Sequence, residues 1–595
     1  MEYQMKILLA AINAKYIHSN PAVYSLRAYA CKYKDEIGIA EYTINQTIDE
    51  ILMDIYGRQP DILCISCYLW NIIYVRQVVA EISKILPDVR IWLGGPEVSF
   101  NGSEILEAHP CLTGVMCGEG EETFLELMEY YHGQPEKGAD QMEAEQGTGG
   151  VCPGESLTLE QVRGIVYRDE SGNIQVNPLR PVMDLSSVPF VYGHIEDFRN
   201  RIIYYESSRG CPFSCSYCLS SIDKCLRFRD IELVKKELHF FIDHEVPQVK
   251  FVDRTFNCRH DHAMAVWSYI KEHDRGITNF HFEVAADLLN EEEIHLIREM
   301  RPGLIQLEIG VQSANEETIR EIRRKMDLDR VGQVTARIRE TGNVHQHLDL
   351  IAGLPYENYE SFVRSFNRVY AMKPDQLQLG FLKVLKGSLM HEKAREYSLI
   401  YQERPPYEVL STKWLSYGDI VCLKKVEEMV EVYYNSAQFK HTLAHLEQEF
   451  PSPFAMYEAF ALYYEAEGLS KISHSRLARY EIIYRFIRER QVKNTEEYRE
   501  WLTLDLYLRD NVKNRPDFLG ESRVSREEAA AFYKKEAEEF RYLKGYESFD
   551  RNQIRKMTHL ERIKGRLLLF DYRNRDRLTN DAAVYCVDDS GGAGS

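Results

Sequence analysis

Cys211, Cys215 and Cys218 lie in the run ESSRGCPFSCSYCLSS, with the spacing C-x3-C-x2-C. Three thiolates on one short loop can ligate three irons of a [4Fe–4S] cluster and leave the fourth iron open to a small chelating molecule. A zinc site is a second reading: Cys225 is at hand as a further ligand, although the spacing is not that of a finger or ribbon. A disulfide is disfavoured, because no signal-peptide pattern opens the sequence and thiols stay reduced in the cytosol. Gly210 and Pro212 shape the loop, and the aromatic Phe213 and Tyr217 within it would shield a cluster from water.

Chemistry-bearing residues recur downstream at the ends of apolar runs. FVDRTFN carries Asp253, FHFEVAADLL carries Glu283 and Asp287, and LIQLEIGVQS carries Glu308, Gln312 and Ser313. HQHLDLIAGLP adds Asp349, and QLQLGFLKVL follows as a further run. With RIIYYESS ahead of the cysteines, these runs make six strands separated by helical stretches such as 291–300 and 315–325. The alternation predicts a partial (β/α)6 barrel with its active site at the carboxyl ends of the strands.

Upstream, MKILLAA, DILCISCY, RIWLGGPEVS and the start of GVMCGEGEETF read as buried parallel strands, with helical patterns near 21–34 and 72–86. The alternation predicts a flavodoxin-like, doubly wound α/β sheet. Gly94, Gly95, Gly118 and Gly120 fall at strand ends, where backbone can approach a ligand closely. Cys64 and Cys67 fall in one apparent strand and on opposite faces, so they are poor co-ligands for a second cluster.

The cysteine run resembles the radical S-adenosylmethionine (SAM) superfamily. GGPEVS and GEGEETF, placed before it, resemble the cobalamin-binding domain of B12-dependent radical SAM enzymes over about residues 5–131. YLRDNVKNRPDFL resembles a domain of unknown function that follows such cores. The resemblance implies a [4Fe–4S] cluster on Cys211, Cys215 and Cys218, SAM at the open iron, and cobalamin at the glycine-rich strand ends. It places Tyr217 near the SAM adenine, Asp253 at the SAM amino group, and Glu283, Glu308, Gln312 and Ser313 around the rest of SAM. Ala285 stands where some relatives have an arginine, so Arg254 and Arg323 are the candidates for the SAM carboxylate. In many cobalamin proteins a histidine after the first strand ligates cobalt; here Lys15 takes its place, with His18 nearby. The implied activity is cleavage of SAM to a 5′-deoxyadenosyl radical and methylation of an unactivated carbon. Radical cyclisation or rearrangement, sulfur insertion, and a non-catalytic B12 or iron–sulfur sensor are the alternatives.

Composition bounds the rest. At 595 residues, with 44% hydrophobic and 28% charged residues, the chain reads as several soluble globular domains. No run of about 18 apolar residues is present, so no membrane span is expected. A net charge of −19 argues against whole-protein attraction to nucleic acid. Residues 471–580 nevertheless hold 26 Lys and Arg against 19 Asp and Glu, a mild bias toward an anionic substrate or a solvated helical face. The expected domains are a cobalamin-binding-like domain at 1–131, a flexible linker and hairpin at 132–195, and the barrel at 196–400. A mainly helical domain at 401–580 and a disordered tail at 581–595 follow. A cytoplasmic location is expected, with a flavodoxin or ferredoxin as electron donor and a small molecule, peptide or RNA as substrate.

Overall fold

Ile7–Asn13 (β1) is buried at every position, as a parallel strand covered on both faces must be. In the computed structural model, which describes residues 4–133, 157–222 and 224–587, β1 pairs in parallel with β2 (Ile37–Thr43) and β3 (Ile62–Ser66). β4 (Arg90–Gly94) and β5 (Gly114–Met116) extend the parallel sheet. β6 (Ile165–Arg168) and β7 (Ile174–Val176) add an antiparallel hairpin at its edge. The order is β2-β1-β3-β4-β5-β6-β7. Leu8, Ala10 and Ile12 of β1 enter one core, and Ile7, Leu9 and Ala11 enter another on the opposite face. Helices on both faces close these cores, so the sheet is doubly wound.

Two features of this sheet differ from the sequence reading. Strand β2 and the helix Ile48–Arg58 after it were not expected; β2 is an edge strand, half-buried at four of seven positions, and lacks a continuous apolar run. The hairpin belongs to the sheet rather than to a linker, because Ile165, Val166 and Tyr167 are buried where it joins β5. Most of the Gly- and Glu-rich excursion, Cys152 included, lies outside the described residues.

The chain forms two compact units. The first runs to Val284 and includes Ile322–Arg324 and Leu382–Leu410; the second takes Ala285–Glu321, Lys325–Phe381 and the chain from Ser411. The first unit holds three further parallel strands, β8 (Ile203–Tyr205), β9 (Gln248–Phe251) and β10 (Asn279–Val284). Helices Ile231–Asp243 and His260–His273 alternate with them. The second unit holds β11 (Ile305–Gln312), β12 (His345–Ala352) and β13 (Gln376–Phe381), again parallel, with helices Leu328–Arg339 and Tyr359–Tyr370 between them. These are the six strands that the spacing predicts. Asn435, in a π-helical turn at Val430–Asn435, accepts from the Leu377 N–H and donates to the Leu377 carbonyl, each at 2.9 Å. It thereby occupies backbone groups that a sheet edge otherwise leaves open to aggregation.

From Tyr417 to Met557 the second unit is helical around buried tyrosines such as Tyr433, Tyr457 and Tyr480. A three-stranded antiparallel sheet then follows, β14 (Thr558–Ile563), β15 (Arg566–Arg575) and β16 (Ala582–Val587). Its first turn is Lys564-Gly565, both with positive φ, as a two-residue type I′ hairpin requires. The expected tail at 581–595 is corrected here: Ala582–Val587 pairs along β15, with Ala582 buried. Among the described residues, no helix is long and apolar enough to cross a membrane.

Candidate active site

The cysteine loop is pinned at its base. Ser208–Arg209 pairs antiparallel with Arg227–Phe228, which brings the two ends of the loop together. Gly210 has φ +93°, and a Cβ there would meet the Cys225 carbonyl oxygen at 2.8 Å. Only glycine tolerates both conditions, which accounts for the residue before Cys211. Cys211 and Cys215 are buried and Cys218 is half-buried. Burial pushes the Cys215 thiol up, Arg324 opposes that shift, and the neighbouring Cys218 and Cys211 add to it. Three thiols on one loop, two of them buried, are a donor set that fits an iron–sulfur cluster.

Arg324 is the group that sequence reasoning missed. Its Nη1 lies 3.9 Å from Cys215 Sγ and 3.4 Å from the Tyr217 hydroxyl. Burial works against the Arg324 charge, but Tyr217 and Cys215 outweigh it and raise its pKa further. The expected candidates were Arg254 and Arg323. Arg323 takes a left-handed backbone, φ +56°, after the short helix Glu316–Glu321, and the second arginine of the pair is the one beside the thiol. The doubled arginine in REIRRK was the available signal.

Asp253 does not stand open to a ligand as the resemblance implied. It is fully buried, and its Oδ1 accepts from the Ser207 and Ser208 hydroxyls, both at 2.6 Å, while Oδ2 accepts from the Ser207 N–H at 3.0 Å. His262 Nε2 lies 2.9 Å from the Ser207 hydroxyl. Burial raises the Asp253 pKa to about 6 and lowers that of His262 to about 4. Asp253 thus braces the strand that enters the cysteine loop.

The GEGEETF motif meets the same strand. Arg209 donates to Glu206 from Nε at 3.0 Å, to Glu119 from Nη1 at 2.9 Å and to Glu121 from Nη2 at 2.9 Å. Arg227 pairs with Glu119 as well. Burial opposes the Arg209 charge, yet Glu206 and Glu121 outweigh it and raise its pKa. The motif's carboxylates, rather than its glycines, therefore tie the first sheet to the cysteine loop.

A cavity of about 630 Å³ opens beyond β1, β3 and β8 within the first unit. In a parallel sheet of order 2-1-3-4-5 the strand order reverses between β1 and β3, and ligands settle at that point. Asn13 at the end of β1, Tyr68 and Trp70 after β3, Tyr204–Glu206, Glu121 and the segment Val188–Tyr192 line the cavity. Asn71 is fully buried and donates to the carbonyls of Ile12 at 3.0 Å and Ser66 at 2.9 Å, fixing the loop after β3. Tyr68 and Trp70 stack with ring centroids 4.5 Å apart and planes 8° from parallel, which gives the cavity a flat aromatic ledge. His18 also lines it, with Nδ1 2.6 Å from the Tyr204 hydroxyl. Gly94, Gly95, Gly118 and Gly120 are not in the cavity wall. Gly95, at φ +109°, packs so close to Cys67 that a Cβ would lie 2.6 Å from its carbonyl oxygen, a structural need that explains that glycine. Cys64 and Cys67 enter opposite cores of the sheet and do not converge.

The remaining expected SAM contacts divide between the units. Glu283 lies half-buried on β10 in the first. Gln312 ends β11 in the second with φ +75°, and its Oε1 is buried without a hydrogen-bond partner. Strained backbone and orphaned buried polar atoms are concentrated at functional positions. Ser313 is buried, donates to Glu357 Oε1 at 2.7 Å and accepts from the Asn315 N–H at 3.0 Å, so it serves the turn. Glu308 converges with His347 and Asp349.

Comparison with known proteins agrees with this layout. Residues 7–128 match the B12 binding domain, residues 205–369 the radical SAM superfamily, and residues 395–583 a protein family of unknown function, DUF4080. The chain thus carries a match to the B12 binding domain ahead of a match to the radical SAM superfamily. It is 25% identical over 380 residues to the cobalamin-dependent radical SAM methyltransferase TokK of Streptomyces tokunonensis, covering 58% of this chain and 51% of that one. It is 24% identical over 327 residues to the 2-(S-pantetheinyl)-carbapenam-3-carboxylate methyltransferase of Streptantibioticus cattleyicolor, covering 51% and 44%. The chain thus spans about half the length of these curated relatives. In fold it is similar to the cobalamin-dependent SAM radical enzyme OxsB, solved with aqua-cobalamin and SAM bound, at a TM-score of 0.57 and 15% identity over 84% of this chain and 79% of that one.

Proposed function

We propose that this chain is a cobalamin-dependent radical SAM methyltransferase acting at an unactivated carbon. The observation that carries the reading is the presence, in one unit, of a three-thiol loop and an aromatic-floored cavity at the switch point of a B12-binding sheet. Cys211, Cys215 and Cys218 would hold the cluster, and the ledge of Tyr68 and Trp70 would carry the corrin face. When bound, the cluster supplies an electron to SAM and cobalamin supplies the methyl group.

The chain's own residues orient and shield. Arg324, held between Cys215 and Tyr217, presents a fixed cation beside the loop, suited to the carboxylate of SAM. Tyr217 gives an apolar ring whose hydroxyl accepts from Arg324. Asp253 and Ser207 fix the loop's entry strand, and Gln312 offers an unsatisfied carbonyl to a ligand. His18 is held by Tyr204 and is neutral at pH 7, since burial, Lys15 and Lys250 all lower its pKa. A flavodoxin or ferredoxin delivers the electron in the cytoplasm.

The ledge gives the test. Trp70→Ala should leave the cluster loaded but lower cobalamin retention after desalting at least tenfold. Unchanged retention in Trp70→Ala and in the double variant with Tyr68→Ala would remove the cavity as the corrin site.

A further inference from the structure

We propose that Glu308, His347 and Asp349 form a site for one divalent transition-metal ion, separate from the cysteine loop. Register brings them together. Glu308 of β11 lies opposite His347 of β12, and Gly310 lies opposite Asp349. In parallel strands, residues two apart share a face, so all three side chains stand on the same face of adjacent strands. Gly310 supplies no side chain beside Asp349. One ligand atom from each of the three residues lies within 4.8 Å of the other two, and His347 Nε2 is 3.1 Å from Asp349 Oδ1.

These separations suit a single ion. With metal–ligand bonds of about 2.0–2.2 Å, ligands about 90–110° apart on one ion are separated by roughly 3–3.6 Å, and opposed ligands by roughly 4.3 Å. One imidazole with two carboxylates selects among divalent ions. The imidazole disfavours Mg²⁺ and Ca²⁺, and the absence of thiolate or thioether in the set disfavours Cu⁺, which leaves the divalent first-row ions, Mn²⁺, Fe²⁺ and Zn²⁺ among them. His347 is 7% exposed and Glu308 and Asp349 are half-buried, so the set is partly shielded from solvent. Three ligands on one face leave further positions for water or for an oxygen of a substrate.

The probe is Mn²⁺ alone, added anaerobically to the full chain with its cluster loaded and oxidised, so that the three cysteines are already occupied. The EPR signal of free Mn²⁺ should fall with a stoichiometry of about one per chain. His347→Gln and Asp349→Asn should each weaken that binding at least tenfold, with cluster absorbance unchanged. Pulsed EPR of the Mn²⁺-loaded wild type should show one imidazole nitrogen, a reading that does not depend on any variant folding. Absence of a stoichiometric site, absence of the imidazole coupling, or binding unaltered in both variants would each overturn the proposal and leave the cluster assignment untouched.

Discussion

Arg324 and Cys215 lie 3.9 Å apart, yet a substitution at each is expected to fail differently. Cys215→Ala removes a cluster ligand; iron content should fall and 5′-deoxyadenosine formation should be abolished, with the unfolding temperature of the rest of the chain retained. Arg324→Ala keeps all three thiols. Iron should load as in the wild type, while SAM affinity, measured by calorimetry on the loaded chain, should drop at least tenfold, since a charge-assisted hydrogen bond contributes about 1.5–3 kcal/mol. Lysine at 324 should restore only part of it, because a point charge lacks the planar fork. Cys211, Cys215 and Cys218 were legible because their spacing is itself the ligand pattern. Arg324 was not, because what selects it over Arg323 is the left-handed turn at Arg323, and backbone reversal leaves no signature in a run of like charges.

At the scale of elements, the strand Ser208–Arg209 is where the first sheet and the cysteine loop meet. Arg209→Ala leaves Glu119, Glu121 and Glu206 without their shared cation. Breaking a buried ion network costs about 3–5 kcal/mol; with Arg209 about one-fifth exposed, a loss of roughly 2–3 kcal/mol is expected, read as a lower unfolding temperature together with poorer iron loading. The six barrel strands and β1, β3, β4 and β5 could be read from sequence, since each carries apolar residues, in a run or in alternation, set off by helical stretches at regular spacing. The terminal sheet β14–β16 was taken as helix and tail. β15 and β16 do carry apolar residues in a row, but no helices alternate with these strands, and the turn that joins the first two is Lys-Gly rather than the familiar Asn-Gly. The glycines of GEGEETF drew attention at sequence level, but its glutamates make the contacts, because a carboxylate's partner lies some ninety residues away and periodicity cannot report it.

For the molecule as a whole, two buried carboxyls set a pH dependence. Burial raises Asp253 to about 6 and Glu357 to about 7. Between the unfolded values near 4 and these folded values, the native state holds protons that the unfolded chain releases. Their contribution to stability is therefore full below about pH 4 and is lost as pH rises through 6 and 7. Glu357 makes the cleaner test, since its Oε1 accepts from Ser313 and Ser365 and its Oε2 is buried without a partner. Glu357→Gln removes one titration, so the unfolding temperature of the variant should gain on that of the wild type as pH rises from about 4.5 to 7.5. A constant difference across that range would contradict the assignment. The net charge of −19 suits a small or peptide substrate better than attraction of the whole chain to a nucleic acid.

The central claim is that one chain holds a SAM-cleaving cluster and a cobalamin together. The direct measurement is anaerobic reconstitution of the full chain with iron, sulfide and hydroxocobalamin, followed by desalting, a visible spectrum, and addition of dithionite and SAM. The account predicts one [4Fe–4S] cluster and one cobalamin retained per chain, with 5′-deoxyadenosine formed in the wild type and none in Cys215→Ala. A cluster and 5′-deoxyadenosine without retained cobalamin would contradict the methyltransferase reading, and 5′-deoxyadenosine from Cys215→Ala would contradict the cluster itself.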